Sequence, residues 1–398
     1  MTAFNTQLVH GQTINDNQTG AVNVPIYNSS TYQYQSIKQP VHWDYARSGN
    51  PTREFLEKQI AQLEKGVRGF AFASGMAAIH AVLAIFKPGD HLIVGDQIYG
   101  GTYRLLNQYF KERQLTFTAV DSRDLTAVAA AIRPNTKAIY FEPFTNPLLQ
   151  VTSVKKIAQL AHAHHLLTIV DNTFLTPYLQ QPLCLGADLV VHSATKYLSG
   201  HSDVIAGLVV AKTTELAEKI YFIQNALGGV LSPQDANLVR RGIQTLALRM
   251  DRQQANTAQL INFLQQQPEV TKIHYPGIPG TSDYEIAAAE CHGCGGVFSF
   301  ELAPEIDACR FVDHLKLFKL AVSLGAVESL AELPYEMSHA ELPPAERLAA
   351  GISPQLIRLA VGIEDATDLK ADLQQALATV QPQKQPQIQR QTQKILIK

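Results

Sequence analysis

Between Asn50 and about residue 245 the chain alternates short β-rich runs with amphipathic stretches, and this alternation restricts the fold more than any other feature. Apolar runs of strand length stand at 69–73, 91–94, 138–141, 166–170 and 189–191, while 53–63 and 154–164 carry helical spacing. Strands that alternate with helices pair mainly in parallel, so the pattern predicts an α/β fold with a largely parallel sheet covered on both faces. Ligands of such sheets bind beyond the carboxyl ends of the strands. Ser74, Asp96, Glu142, Asp171 and Ser193 all fall at those positions.

A chain of 398 residues exceeds one ordinary core. Residues 1–46 are polar and turn-rich and read as an extended arm; 47–245 form the large domain. Residues 246–380 read as a smaller α+β domain, with a helix through Leu264 and a glycine turn at 293–296 leading into a strand. The segment 381–398 has Gln at alternate positions and reads as a polar, peripheral tail. With 46% apolar and 17% charged residues the composition is that of a soluble globular enzyme. A net charge of −2 without a basic stretch in the body argues against nucleic acid or anionic membrane as the principal partner. The N-terminus lacks charged and apolar signal regions, and four cysteines make no disulfide framework, so a cytoplasmic location is expected.

Within that frame, Lys196 in Asp188-Leu-Val-Val-His-Ser-Ala-Thr-Lys196 follows a buried-strand pattern, with the hydroxyls of Ser193 and Thr195 just before it. The neighbouring apolar run ends in Asp171. A strand-exit lysine, hydroxyls for a phosphate and a nearby carboxylate suit pyridoxal phosphate: the amine forms the Schiff base and the carboxylate keeps the pyridine nitrogen protonated. Ser74-Gly75-Met76 opens a helical stretch whose free N–H groups and dipole can bind phosphate, or it is simply a cap. Tyr45 and Arg47 lie two apart in an extended segment and so point the same way, toward one phosphate or toward solvent. Tyr99, beside Gly100 and Gly101, is either a ring that stacks flat on the cofactor or a turn tyrosine. Arg358 sits inside an apolar strand-like run and needs an anion, whether a structural carboxylate or that of a substrate. Cys291-His-Gly-Cys294 is half a zinc pattern without its second half, and His162, His164 and His165 read as solvated, so no metal is expected.

These pieces together resemble the Cys/Met-metabolism group of pyridoxal-phosphate enzymes, the transsulfuration enzymes. The similarity spans residues 6–365 and includes Tyr45 to Thr52, Ser74-Gly-Met76, Tyr99-Gly-Gly101, Asp171-Asn-Thr-Phe174, Ser193-Ala-Thr-Lys196, Ser323 to Leu330 and Arg358 to Asp365. The resemblance implies fold type I, the aspartate aminotransferase-like architecture with a mostly parallel seven-stranded-type sheet. It makes Lys196, Tyr99 and Asp171 catalytic. Tyr45, Arg47, Gly75, Met76, Thr173, Ser193 and Thr195 join them in holding pyridoxal 5′-phosphate, with Tyr45 and Arg47 reaching the adjacent subunit of a homotetramer. Asn146, the Ser329 backbone and Arg358 would hold a substrate carboxylate. Arg104 and Glu328 would meet the distal carboxylate and ammonium of cystathionine. Phe144, Ala326, Ser338 and Ala360 depart from the usual pattern without removing a catalytic group. The expected reaction is α,γ-elimination of cystathionine; γ-synthase, β-lyase and methionine γ-lyase reactions are alternatives. A pyridoxal-phosphate-binding regulator without turnover is the reading from another class.

Overall fold

The computed structural model describes residues 2–11 and 19–380, so the glutamine-rich tail lies outside the described residues. Seven strands form the larger sheet: β1 (Arg68–Phe72), β2 (His91–Gly95), β3 (Thr116–Val120), β4 (Thr136–Phe141), β5 (Leu167–Asp171), β6 (Leu189–Ser193) and β7 (Gly207–Ala211). Their order is β1-β7-β6-β5-β4-β2-β3. β7 runs antiparallel to both neighbours, and every other pair is parallel, in keeping with the alternation of strand and helix. Every residue of β2 and β7 is buried, as a sheet covered on both faces requires.

The helices start where the sequence provides caps. The Asn50 side chain accepts from the N–H groups of Thr52 and Arg53, with proline in the first turn, and opens the helix Pro51–Glu64. Ser74 accepts from the Ala77 N–H and opens Gly75–Leu83 at the end of β1. Because parallel strands end on one edge of the sheet, Asp171, Ser193 and Glu142 are brought together there with the start of that helix.

The second sheet has five strands, β8 (Val270–His274), β9 (Val297–Leu302), β10 (Lys319–Leu320), β11 (Leu330–Glu332) and β12 (Leu356–Ala360), in the order β10-β11-β12-β9-β8. Its core gathers Phe298, Phe300, Phe311, Ile357 and the buried face of Ala366–Val380. The helix Leu246–Leu264 belongs to both cores: Leu246 and Met250 pack into the first, Leu260 and Leu264 into the second.

Two features differ from the sequence reading. The arm is not extended throughout, since Phe4–His10 is helical, with Leu8 buried and its carbonyl accepting from Gln59 Nε2 at 2.8 Å. One buried leucine on a short turn leaves too little periodicity to read. Strands β3 and β7 also lie outside the sequence reading; β3 is a half-exposed edge with weak alternation, and β7 (Gly207–Ala211) pairs antiparallel to both neighbours, outside the strand–helix alternation.

Candidate active site

A cavity of about 430 Å³ opens at the carboxyl edge of the large sheet, walled on its other side by the smaller domain. On the sheet side it is lined by Ser74, Gly75 and Met76, by Asp171 and Thr173, and by Ser193, Thr195 and Lys196. The three segments interlock. A Cβ on Gly75 would lie 3.0 Å from Ser193 Oγ, so a side chain there would press Ser193 back by a few tenths of an ångström and glycine lets the helix start close onto β6. The Ser193 N–H donates to Thr173 Oγ1 at 2.8 Å, and Thr173 in turn donates through both its N–H and its hydroxyl to Asp171 Oδ1.

Asp171 is buried, and Tyr140 OH donates to its Oδ2 at 3.2 Å. Its direct hydrogen-bond donors are a phenol, a hydroxyl and an amide, all neutral. Burial pushes its carboxyl up from the ordinary aspartate range, against the pull of Thr173 and the nearby His192. Glu142, at the end of β4, is pushed well up by burial and by the charge of Asp171. Both carboxyls are therefore held up by burial and by each other, and among the described residues neither has a cationic hydrogen-bond partner, which a protonated ring nitrogen would supply.

Lys196 is largely buried, with Nζ donating to Ser323 Oγ at 2.7 Å. Burial, then the charge of Arg358, lowers its amine to about 8, and Glu332 offsets part of this. A lysine so placed has a substantial neutral fraction near neutral pH, which a nucleophile or proton acceptor needs. The lysine, the buried carboxylate without a cation and the glycine-cleared helix start beside two hydroxyls together fit pyridoxal phosphate.

The opposite wall holds Val322, Ser323, Leu324, Glu332, Ser338 and Arg358. Arg358 Nη1 donates to Asn146 Oδ1 at 2.9 Å and lies 3.0 Å from Glu332 Oε1, its register partner across β11 and β12. Arg358 Nη2 donates to the Ser323 carbonyl at 2.6 Å, and Ser338 Oγ donates to Glu332 Oε1 at 2.7 Å. Arg358 thus has a structural carboxylate and also lines the cavity, which joins the two readings of that residue.

Ser323 has φ of +97°, a conformation that a residue with a side chain adopts only when its surroundings impose it. It touches both Lys196 and Arg358, and sequence reasoning missed it because a backbone angle leaves no mark on a serine. Glu332 left a signal that went unused: an acid in the apolar run Leu330-Ala-Glu332, complementary to Arg358.

Several expected residues stand elsewhere. Ser329 is fully buried, and its N–H donates to Glu364 Oε1 at 2.7 Å while its carbonyl accepts from Lys319, so its backbone has no free group for a substrate. Glu328 accepts from Ser202 Oγ, and Arg104 is paired with Glu341 at 2.9 Å; neither lines the cavity. Glu341 pairs with Arg104 and Ser202 with Glu328 across more than a hundred residues of sequence, which spacing alone does not reveal. Tyr99 lines the cavity, is 54% exposed and donates its N–H to Glu142 Oε1 at 2.6 Å. Tyr45 and Arg47 stack together, with the guanidinium 5.7 Å from the ring centroid, but do not line the cavity of their own chain. Among the described residues no group of three or more metal-binding side chains occurs, and no helix is long and apolar enough to cross a membrane.

The sheet order, the lysine and the buried carboxylate define a pyridoxal-phosphate enzyme of fold type I. The chain belongs to the Cys/Met metabolism PLP-dependent enzyme family, whose model matches residues 5–378. It is 51% identical over 377 residues to a cystathionine β-lyase of Lactococcus lactis subsp. cremoris (strain MG1363), covering 95% of this chain and 99% of that one. It is 49% identical over 375 residues to a cystathionine γ-lyase of Bacillus subtilis (strain 168), covering 94% and 99%. The crystal structure of cystathionine γ-lyase from Lactobacillus plantarum complexed with L-serine is similar at a TM-score of 0.93 and 53% identity, covering 96% of this chain and 100% of that chain.

Proposed function

We propose that the protein catalyses α,γ-elimination of L-cystathionine to L-cysteine, 2-oxobutanoate and ammonia, with hydrogen sulfide release from cysteine or homocysteine as a side reaction. The observation that carries pyridoxal-phosphate chemistry is Lys196, its amine near 8, facing Arg358 across one cavity, and the family and its cystathionine lyase relatives support the action on carbon–sulfur bonds. The preference for γ-elimination rests on the similarity to the L. plantarum γ-lyase. In the structure without ligand Arg104 pairs with Glu341 and Glu328 accepts from Ser202, so a role for either with the distal end of cystathionine would require an exchange of partners.

Bound pyridoxal phosphate supplies the electron sink for a carbanion at Cα. Gly75, Met76, Ser193 and Thr195 hold its phosphate, Asp171 keeps its ring nitrogen protonated, and Tyr99 covers the ring. Arg358 and Asn146 orient the substrate carboxylate. Lys196 Nζ would take the Cα proton, give it up again and, as a free amine, take the Cβ proton that γ-elimination also removes; a proton would then return to the thiolate that leaves Cγ. Phe144, Phe174 and Leu324 line the same space and keep water from the reacting carbons. In this reading the enzyme is a cytoplasmic homotetramer in which Tyr45 and Arg47 complete the phosphate site of a neighbouring subunit. Mixing inactive Arg47→Ala and Lys196→Ala chains should then restore activity through hybrids; no recovery after demonstrated subunit exchange would rule out shared sites.

β-Elimination is the second reading, favoured by the L. lactis relative. Incubation with cystathionine separates the two. Cysteine with 2-oxobutanoate supports the proposal, and homocysteine with pyruvate replaces it. Cystathionine made from O-acylhomoserine and cysteine, without keto acid from cystathionine, would indicate a synthase. No conversion by a cofactor-loaded enzyme would indicate a regulator.

A further inference from the structure

Arg249 lies in the first turn of Leu246–Leu264, outside the cavity lining, and is only 3% exposed. Its guanidinium makes three hydrogen bonds: Nη1 to the Tyr197 carbonyl at 2.7 Å, Nη2 to the Gly242 carbonyl at 2.7 Å and Nε to Thr245 Oγ1 at 3.1 Å. All three acceptors are neutral. Burial lowers the guanidinium to about 10, which still leaves it cationic near neutral pH. Burying a cation on uncharged acceptors is an expensive way to fill space, and an apolar side chain of similar volume would serve packing better. What an apolar residue could not do is hold two carbonyls from different segments in one rigid fork.

One of those carbonyls belongs to the residue after Lys196. The turn that carries the lysine is closed by Ser199 N–H to Ala194 O at 3.0 Å and Gly200 N–H to Lys196 O at 2.8 Å. It is wedged against Arg249 and the helix Pro233–Gln244. Gly200 has φ of +70°, and a Cβ there would fall 2.1 Å from Arg249 Nη1; a Cβ on Gly242 would fall 2.2 Å from the Ser199 carbonyl. From the smaller domain, the Val327 N–H donates to the Gly200 carbonyl at 2.9 Å and the Gly296 N–H to Tyr197 OH at 3.2 Å. The backbone of Lys196 is thus clamped, while among the described residues its side-chain tip has one hydrogen-bond partner, the Ser323 hydroxyl.

We propose that Arg249 is a positioning residue for Lys196: its fork on the Tyr197 and Gly242 carbonyls fixes the lysine backbone so that Nζ meets the aldehyde carbon of the cofactor. There a carbon–nitrogen double bond forms and one water leaves. This inference rests on the cofactor and not on the choice of substrate. Covalent capture then depends on Arg249, whereas non-covalent binding of the same ring and phosphate does not.

The test compares two probes on the apo form of the full chain, pyridoxal 5′-phosphate and pyridoxamine 5′-phosphate, which has no aldehyde. Arg249→Lys, which offers a single ammonium in place of the fork, should weaken pyridoxal phosphate at least about tenfold and pyridoxamine phosphate by no more than about twofold in equilibrium dialysis. Gly200→Ala, which crowds the guanidinium and strains the φ +70° turn closed on the Lys196 carbonyl, disturbs the same clamp from its other side and should give the same split. Equal weakening of both probes, or no weakening of either, overturns the proposal. So does failure of both variants to fold with pyridoxamine phosphate present, since Arg249 would then be required for folding itself. The readout uses no sulfur amino acid, so the result stands whichever product cystathionine yields.

Discussion

The two walls of the cavity are built in opposite ways. On the sheet side, Ser74 to Met76, Asp171 to Thr173 and Ser193 to Lys196 are each a few consecutive residues at a strand end, and parallel pairing brings them to one edge. On the other side, Val322 and Ser323 come from one loop, Ser338 from another, Glu332 from the end of β11 and Arg358 from the middle of β12, joined by a buried ion pair and a serine at positive φ. A wall of strand ends is specified by short-range sequence and a regular topology. A wall of loops depends on long-range hydrogen bonds, so its members can be exchanged or misassigned while the chemistry on the facing side persists. The comparison predicts that cofactor chemistry is concentrated on the first wall, and substrate binding and conformational stability on the second.

The most severe test removes the amine of the sheet wall. Lys196→Ala should lower keto acid release from cystathionine by about 10²–10⁴-fold or more while the fold and the phosphate site persist. Multiple turnovers at the normal rate would place the base elsewhere and end the division of labour.

The next largest effect belongs to the other wall. Arg358→Ala strands the Glu332 carboxylate, which is fully buried, and should cost about 3–5 kcal/mol in chemical unfolding. Replacing both partners, Arg358→Met with Glu332→Leu, should recover most of that loss, because no uncompensated charge remains. Substrate binding should stay impaired in both proteins. If the double variant binds cystathionine normally, Arg358 holds Glu332 and not the substrate.

A pH experiment joins the walls, since burial and then the Arg358 charge lower Lys196 to about 8 from the ordinary 10.5. A depressed folded-state value favours the neutral amine. Its stabilising contribution is therefore fully present above about 10.5 and is lost as pH falls through about 8, a change on the order of 3 kcal/mol. In the apo form, stability relative to Lys196→Met should rise over that window, and acylation of Lys196 should have its midpoint near 8. Arg358→Met should move the midpoint upward. An unchanged midpoint would mean that Arg358 is electrostatically irrelevant to the lysine.

The same contrast explains what the sequence revealed. Lys196, Asp171 and Ser74 could be read because each stands at the end of an apolar run, where periodicity and chemistry coincide. Arg358 could be read because a charge within a strand demands an anion. Ser323 could not, since its role comes from a backbone angle set by distant packing. The resemblance points to the Ser329 backbone, whose N–H donates to Glu364 in the structure, a long-range contact that spacing does not show. The N-terminal helix was missed because a single buried leucine anchors it, and β3 because an edge strand alternates weakly.

Arg104 marks the lower limit of what the loop wall controls. Its Nη1 donates to both carboxylate oxygens of Glu341, at 3.0 and 2.9 Å, and so ties the helix Gly100–Arg104 to the segment that follows the cavity-lining Ser338. The bridge joins segments adjacent to the two walls, since Arg104 follows the cavity-lining Tyr99 and Glu341 follows Ser338, which would give it influence over the cavity mouth if it were strong. Its side chains are 53% and 77% exposed, however, and water screens a pair this open to about 0–1 kcal/mol. Arg104→Ala should therefore change unfolding stability by no more than that, and change KM for cystathionine and for homocysteine by the same factor, less than about fivefold. The small effect should fade further at high salt. A KM increase above about tenfold confined to cystathionine would show that Arg104 leaves Glu341 for the distal carboxylate of that substrate, and the loop wall would then select substrates by exchanging a protein partner for a ligand.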